Sequence, residues 1–106
     1  MGERSRPARP LGGVAEKTER KTKEPSLYRV ILHNDDYTTM DFVVEILTTI
    51  FRLPQAEAVR VMLDVHRRGR GVCGTYPYDI ATTKAAKVMQ RAREHEFPLK
   101  ATVEPA

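Results

Sequence analysis

The 106-residue sequence holds one cysteine, no tryptophan, four tyrosines and three phenylalanines. A lone thiol, Cys73, closes no internal disulfide, so a reducing compartment, the cytoplasm, is expected. No apolar run approaches the roughly 20 residues that cross a bilayer. The first residues lack the apolar stretch of a secretory signal, and Glu3, Glu16, Glu19 and Glu24 disfavour an organelle transit peptide. The Cys/His spacing of a structural zinc site is missing. His33, Asp35, Asp36 and His66 show no regular ligand spacing either, so neither a metal nor another cofactor is expected. No internal repeat is visible.

What the chain does have is positive charge: 18 Lys+Arg against 14 Asp+Glu, a formal +4. Such a balance invites a nucleic-acid reading, a small basic nucleic-acid-binding protein acting through its N-terminal arm and Arg67, Arg68 and Arg70. The distribution argues otherwise. Residues 1–26 hold seven basic and four acidic side chains, and residues 27–106 hold eleven against ten. Most of the excess therefore sits in the first quarter. That quarter contains only five apolar side chains, with Pro7, Pro10, Pro25, Gly2, Gly12 and Gly13. It buries too little apolar surface to offset the entropy of ordering it. A flexible extension over 1–26 and one core domain over 27–106 are expected.

Tyr28–His33 is rich in β-formers and runs into the polar Asn34-Asp35-Asp36-Tyr37, a strand and then a loop. Met40, Val43, Val44, Leu47, Ile50 and Phe51 recur at helical spacing, with Thr38 and Asp41 as the expected capping box. Pro54 suits the first turn of a second helix with the stripe Ala58, Val61, Met62 and Val65, ended by Gly69 after two arginines. Gly71–Tyr76 reads as a short strand. Ala81, Ala85, Val88, Met89 and Ala92 mark a third helix that stops before Pro98. Leu99, Ala101 and Val103 alternate with polar residues in a last strand. The order β-α-α-β-α-β predicts an α+β two-layer sandwich, a three-stranded antiparallel sheet with three helices on one face.

Gly69-Arg70-Gly71-Val72-Cys73-Gly74 matches G-x-G-x-x-G, but it follows a helix and runs into a strand. No helix N-terminus is then available for a pyrophosphate, and the glycines read as a cap and a tight strand start. The embedded G-x-x-G joins no two helices, as a KH loop must. Cys73 between Val72 and Gly74 reads as a packing residue, not a nucleophile. The Asn34-Asp35-Asp36 loop is different. If the first two helices pack side by side, an apolar slot between Met40, Val43, Met62 and Val65 opens beside Asn34, Asp36 and His66. A slot with acceptors at its mouth suits a ligand that is apolar at one end and cationic at the other.

At these residues the sequence resembles the ClpS family of adaptors in the bacterial N-degron pathway. The likeness runs from Tyr28 to about Glu104. It rests on Tyr28–Leu32, Asn34–Thr38, Met40 with Phe42-Val43, Met62-Leu63 with Val65-His66, Gly69, Cys73-Gly74, Thr83-Lys84 and Pro98-Leu99. Thr39 stands where family members commonly carry proline, and Thr82 where an acidic residue is common.

The resemblance implies a bacterial cytoplasmic binding module, monomeric, without catalytic activity, and binding neither nucleic acid nor membrane. ClpS-like proteins hold the destabilising first residue of a substrate protein, Leu, Phe, Tyr or Trp, and deliver it to the ClpAP ATPase–protease. By resemblance Asn34, Asp36 and His66, with Asp35 beside them, bind the free α-amino group. Thr38, Met40, Val43, Met62, Val65 and Leu99 form the side-chain pocket, Met40 as the gate against β-branched residues. Asp79, Thr83 and Lys84 face the N-terminal domain of the ClpA-type AAA+ ATPase, whose pore the arm engages.

Overall fold

The computed structural model describes residues 25–106. The arm expected over 1–26 thus lies almost wholly outside the described residues. Six elements follow in the expected order: β1 (Leu27–His33), α1 (Met40–Thr49), α2 (Gln55–Arg68), β2 (Arg70–Pro77), α3 (Tyr78–Glu94) and β3 (Lys100–Pro105). The strands form one antiparallel sheet in the order β2-β1-β3. This is the α+β architecture that the hydrophobic periodicity predicts.

β1 is the central strand because its middle is apolar on both sides: Val30, Ile31 and Leu32 are fully buried. Val30 and Leu32 join the core with Phe42, Val43, Ile46 and Leu47 of α1, Ala58, Val61 and Val65 of α2, and Ala81, Ala85, Val88 and Ala92 of α3. Alanine dominates the buried stripe of α3, so that helix lies close against the sheet. Each large side chain removed from water here contributes about 1.5–3 kcal/mol.

Two local features bring α2 and β2 together. Gly69 ends α2 in the left-handed region, φ 91°, with its N–H donating to Val65 O at 3.0 Å. A Cβ on Gly71 would lie 2.8 Å from Val65 Cγ2 and 3.0 Å from the Val61 carbonyl, so only glycine lets the strand start this close to the helix. The pairing of β1 with β2 is interrupted between Val30 and Ile31, where Cys73 is the extra residue of a β-bulge. The bulge keeps Cys73 turned into the core, 3% exposed.

The start of α1 corrects one expectation. Thr39, not Thr38, is the N-cap, its hydroxyl accepting from Phe42 N–H at 3.1 Å. Thr38 is already engaged: its hydroxyl and its N–H both donate to Asp35. The carboxylate captures Thr38 for the turn, and capping falls to the next hydroxyl.

Candidate ligand-binding site

Where β1 runs out, Asn34 N–H donates to the Gly69 carbonyl at 2.9 Å. The loop is thereby hung from the C-terminal end of α2, one turn from His66. Asp35 then shapes the loop. Its Oδ1 accepts from Tyr37 N–H (2.8 Å) and Thr38 N–H (2.7 Å), and its Oδ2 from the Thr38 hydroxyl (2.7 Å). This is the aspartate-centred turn that competes with regular structure. Burial pushes the Asp35 carboxyl up, but these donated hydrogen bonds outweigh it and hold the group below its ordinary range.

The turn and the two helices enclose a cavity of about 360 Å³. Its lining is Asn34, Asp35, Asp36, Thr38, Thr39, Met40 and Val43 from the loop and α1, with Met62, Val65 and His66 from α2. Val43 and Val65 are buried at its floor, Met62 is half-buried, and Met40 stands at the rim, 46% exposed. Asn34, Asp36 and His66 are exposed at the mouth. Among the described residues, none of these three side chains hydrogen-bonds to another protein group. The cavity is therefore apolar inside and rimmed by an amide oxygen, a carboxylate and an imidazole with lone pairs to offer.

Nine residues singled out from the sequence for this site converge on the one cavity. Leu99 does not line it: the side chain is 4% exposed and belongs to the core, at the head of β3. Thr39 is the lining residue that sequence reasoning passes over, and its signal was the second hydroxyl of Thr38-Thr39 ahead of an apolar stripe. On α3, Asp79 and Thr83 are exposed, with the Thr83 hydroxyl donating to Asp79 O at 2.8 Å. Lys84 is half-buried. Its Nζ donates to the Ile50 carbonyl at 2.9 Å and lies 5.8 and 5.3 Å from the ring centres of Phe51 and Tyr76. The lysine thus closes the end of α1 from a neighbouring helix.

A larger concavity, about 650 Å³, runs between α2 and β2. Its polar groups are largely spent within the fold: Arg60 pairs with Glu57 and Asp64, and Arg70 with Glu104. Cys73, also in its lining, is not a nucleophile at neutral pH, because burial pushes its thiol up to about 12.

The fold thus defines a small domain with an apolar cavity rimmed by hydrogen-bond acceptors, the chemistry of a binding module. The family model described as ATP-dependent Clp protease adaptor protein ClpS matches residues 23–102. The chain belongs to the ClpS family, a family of protease adaptors and not of proteases. It is 63% identical over 86 residues to the ATP-dependent Clp protease adapter protein ClpS of Syntrophus aciditrophicus, covering 81% of this chain and 80% of that one. The ClpS of Acetivibrio thermocellus is 59% identical over 92 residues, covering 87% of this chain and 93% of that one. Among solved structures, Agrobacterium tumefaciens ClpS2 bound to L-phenylalaninamide superposes with a TM-score of 0.75. It is 42% identical and covers 78% of this chain and 100% of that one.

Proposed function

We propose that this chain is an N-degron adaptor. Its cavity takes the first residue of a substrate protein, Leu, Phe, Tyr or Trp, and the chain delivers that protein to the ClpAP ATPase–protease without catalysing a reaction itself. The observation that carries this reading is the pairing of an apolar cavity with three acceptors at its mouth, Asn34, Asp36 and His66, which bond to no protein group among the described residues. The ligand of the A. tumefaciens relative has the same two-ended chemistry. L-Phenylalaninamide carries a free α-ammonium, an aromatic side chain and an amide where a peptide chain would continue.

An ammonium has three N–H donors, and the rim offers three kinds of acceptor for them. Asp35 serves as the positioning residue, since the turn already uses both its oxygens. Charge-assisted hydrogen bonds contribute about 1.5–3 kcal/mol each and a buried apolar side chain a similar amount. After association costs this corresponds to roughly micromolar affinity, about −8 kcal/mol. Two methionines in the wall, Met40 and Met62, adapt to flat aromatic and branched Leu shapes alike. Asp79, Thr83 and Lys84 at the start of α3 are assigned to the ATPase-facing surface, and the chain acts as a monomer in the bacterial cytoplasm.

The test is a pair of fluorescent peptides beginning with Phe, one with a free N-terminus and one acetylated, titrated by anisotropy. The free peptide binds with about micromolar Kd, and the acetylated one, which has lost its charge and two donors, does not. Equal affinity for both would sink the assignment of the rim.

A further inference from the structure

A second concavity, about 400 Å³, opens between the C-terminal end of α1 and the outer side of α3. Thr49, Ile50 and Arg52 line one wall, and Lys84, Lys87, Gln90, Arg91 and Glu94 the other. Four cations thus meet one carboxylate. Two of the cations are committed to the fold: Lys84 donates to the Ile50 carbonyl, and Arg91 pairs with Glu45 at 2.8 Å. The other two, Arg52 and Lys87, are exposed and make no ion pair or side-chain hydrogen bond among the described residues.

Arg52 has a second peculiarity. Its φ is 60°, in the left-handed region that favours glycine, at the turn that Leu53 N–H closes onto the Leu47 carbonyl at 3.1 Å. Glycine would satisfy the backbone there at no steric cost, so the arginine contributes something that the turn does not need. Strained positions of this kind cluster where a side chain is used.

We propose that this cleft is a docking site for an acidic segment of a partner protein, with Arg52 and Lys87 as its two contacts. The arginine fork grips a carboxylate bidentately, and Lys87 supplies a second point charge from the facing helix. Charge complementarity selects the partner, and the shape of the cleft selects its class. A nucleic-acid backbone carries closely spaced charges along an extended track. Here Arg52 and Lys87 sit in a short concavity flanked by Glu94, with Ile50 in its wall, which suits one or two carboxylates on a peptide. Lys84 lies at one end of the cleft and also belongs to the proposed ATPase-facing surface, so the two would form one continuous contact. The acidic-segment proposal itself does not depend on that surface or on the pocket.

The experiment titrates the ¹⁵N-labelled full chain with acetyl-hexaglutamate amide at low salt. Saturable amide shifts are expected around Arg52 and along Lys84–Arg91. Lys87→Glu weakens binding about tenfold or more, as the loss of one charge-assisted contact requires. Arg52→Gly weakens it similarly while leaving the thermal midpoint unchanged or raised, because glycine suits that backbone. Affinity for the Phe peptide stays the same in both variants, which separates this cleft from the pocket. Unchanged hexaglutamate affinity in both variants would overturn the proposal. So would shifts confined to residues 1–26 or to Arg67–Arg70. An oligothymidylate of equal charge that binds the cleft more tightly than hexaglutamate would reassign it to phosphate.

Discussion

The mouth of the 360 Å³ cavity and the outer face of the sheet are both dense in polar side chains, yet their hydrogen bonds run in opposite directions. On the sheet, partners are found within the chain. Glu104 on β3 accepts from Arg29 of the neighbouring strand at 2.7 Å and, across β1, from Arg70 at 2.9 Å. The His33 ring lies 2.7 Å from the Thr102 hydroxyl. Beneath them Ile31 is fully buried, although it points away from the helices. At the cavity, Asn34, Asp36 and His66 are exposed and their side chains make no hydrogen bond to the protein among the described residues. Asp35 and Asp36 compress the contrast into adjacent residues, one spent on the turn and the other left open. Polar density alone does not mark a site; the direction in which hydrogen bonds are satisfied does.

The largest expected effect separates those two carboxylates. Asp36→Ala weakens binding of the Phe peptide by about ten- to a hundredfold, the 1.5–3 kcal/mol of a charged hydrogen bond, with no change in thermal midpoint. Loss of stability alongside the loss of binding would show that Asp36 also holds the fold. Asp35→Ala does the reverse in the first instance. It destabilises the domain by about 1 kcal/mol, as the loss of a capping side chain does, and loosens the pocket only through the turn. Urea unfolding followed by circular dichroism distinguishes the two variants.

The same residue gives a pH prediction. The folded-state pKa of Asp35 lies below its ordinary value of 3.8. Its contribution to stability is therefore complete above that value and is lost as pH falls through the lower folded value. Acid unfolding of Asp35→Asn should be less steep in that window than that of the parent chain. Equal acid sensitivity of the two would mean that the turn contributes nothing to stability.

Much of this was legible beforehand, for reasons that can be named. The stripes of α1, α2 and α3 show as helical periods because each helix buries one face. Gly69 showed as a helix end because the left-handed region demands it. Less legible was whatever depends on one side chain outcompeting another. The cap moved from Thr38 to Thr39 because Asp35 reaches Thr38 first. Leu99, which the resemblance assigns to the pocket, is buried in the core just ahead of β3 and is not among the residues lining the cavity. The link from Asn34 to the Gly69 carbonyl, which sets the loop beside His66, is a long-range backbone contact with no local sequence signal. The bulge at Cys73 left none either, since its neighbours Val72 and Gly74 fit an ordinary strand.

A smaller effect concerns the wall of the cavity. Met40 stands at the rim with much of its side chain exposed, so truncation costs the core little and widens the opening. Met40→Ala should raise the affinity of an Ile peptide relative to a Phe peptide by about fivefold, roughly 1 kcal/mol. Competition anisotropy with peptides that differ only at the first residue measures the ratio. An unchanged ratio would remove Met40 from its assigned role as gate.

The smallest effect belongs to the outer face of the sheet, and its smallness is the point. The hydrogen bond from Arg70 leads the causes that hold the Glu104 carboxyl below its ordinary range, with the nearby Arg70 and Arg29 charges adding to it. Both pairs are substantially solvent-exposed, and such pairs contribute little once salt screens them. Glu104→Gln should therefore lower the thermal midpoint slightly at low salt and leave it nearly unchanged at high salt. It should leave Phe-peptide affinity unaltered in both. Arg29 would feel the change most, since its Nε is buried without a partner among the described residues and its Nη2 loses a charged acceptor. A loss of peptide affinity in this variant would mean that the two faces communicate through β1, whose end carries Asn34, and the contrast between a closed polar face and an open one would fail.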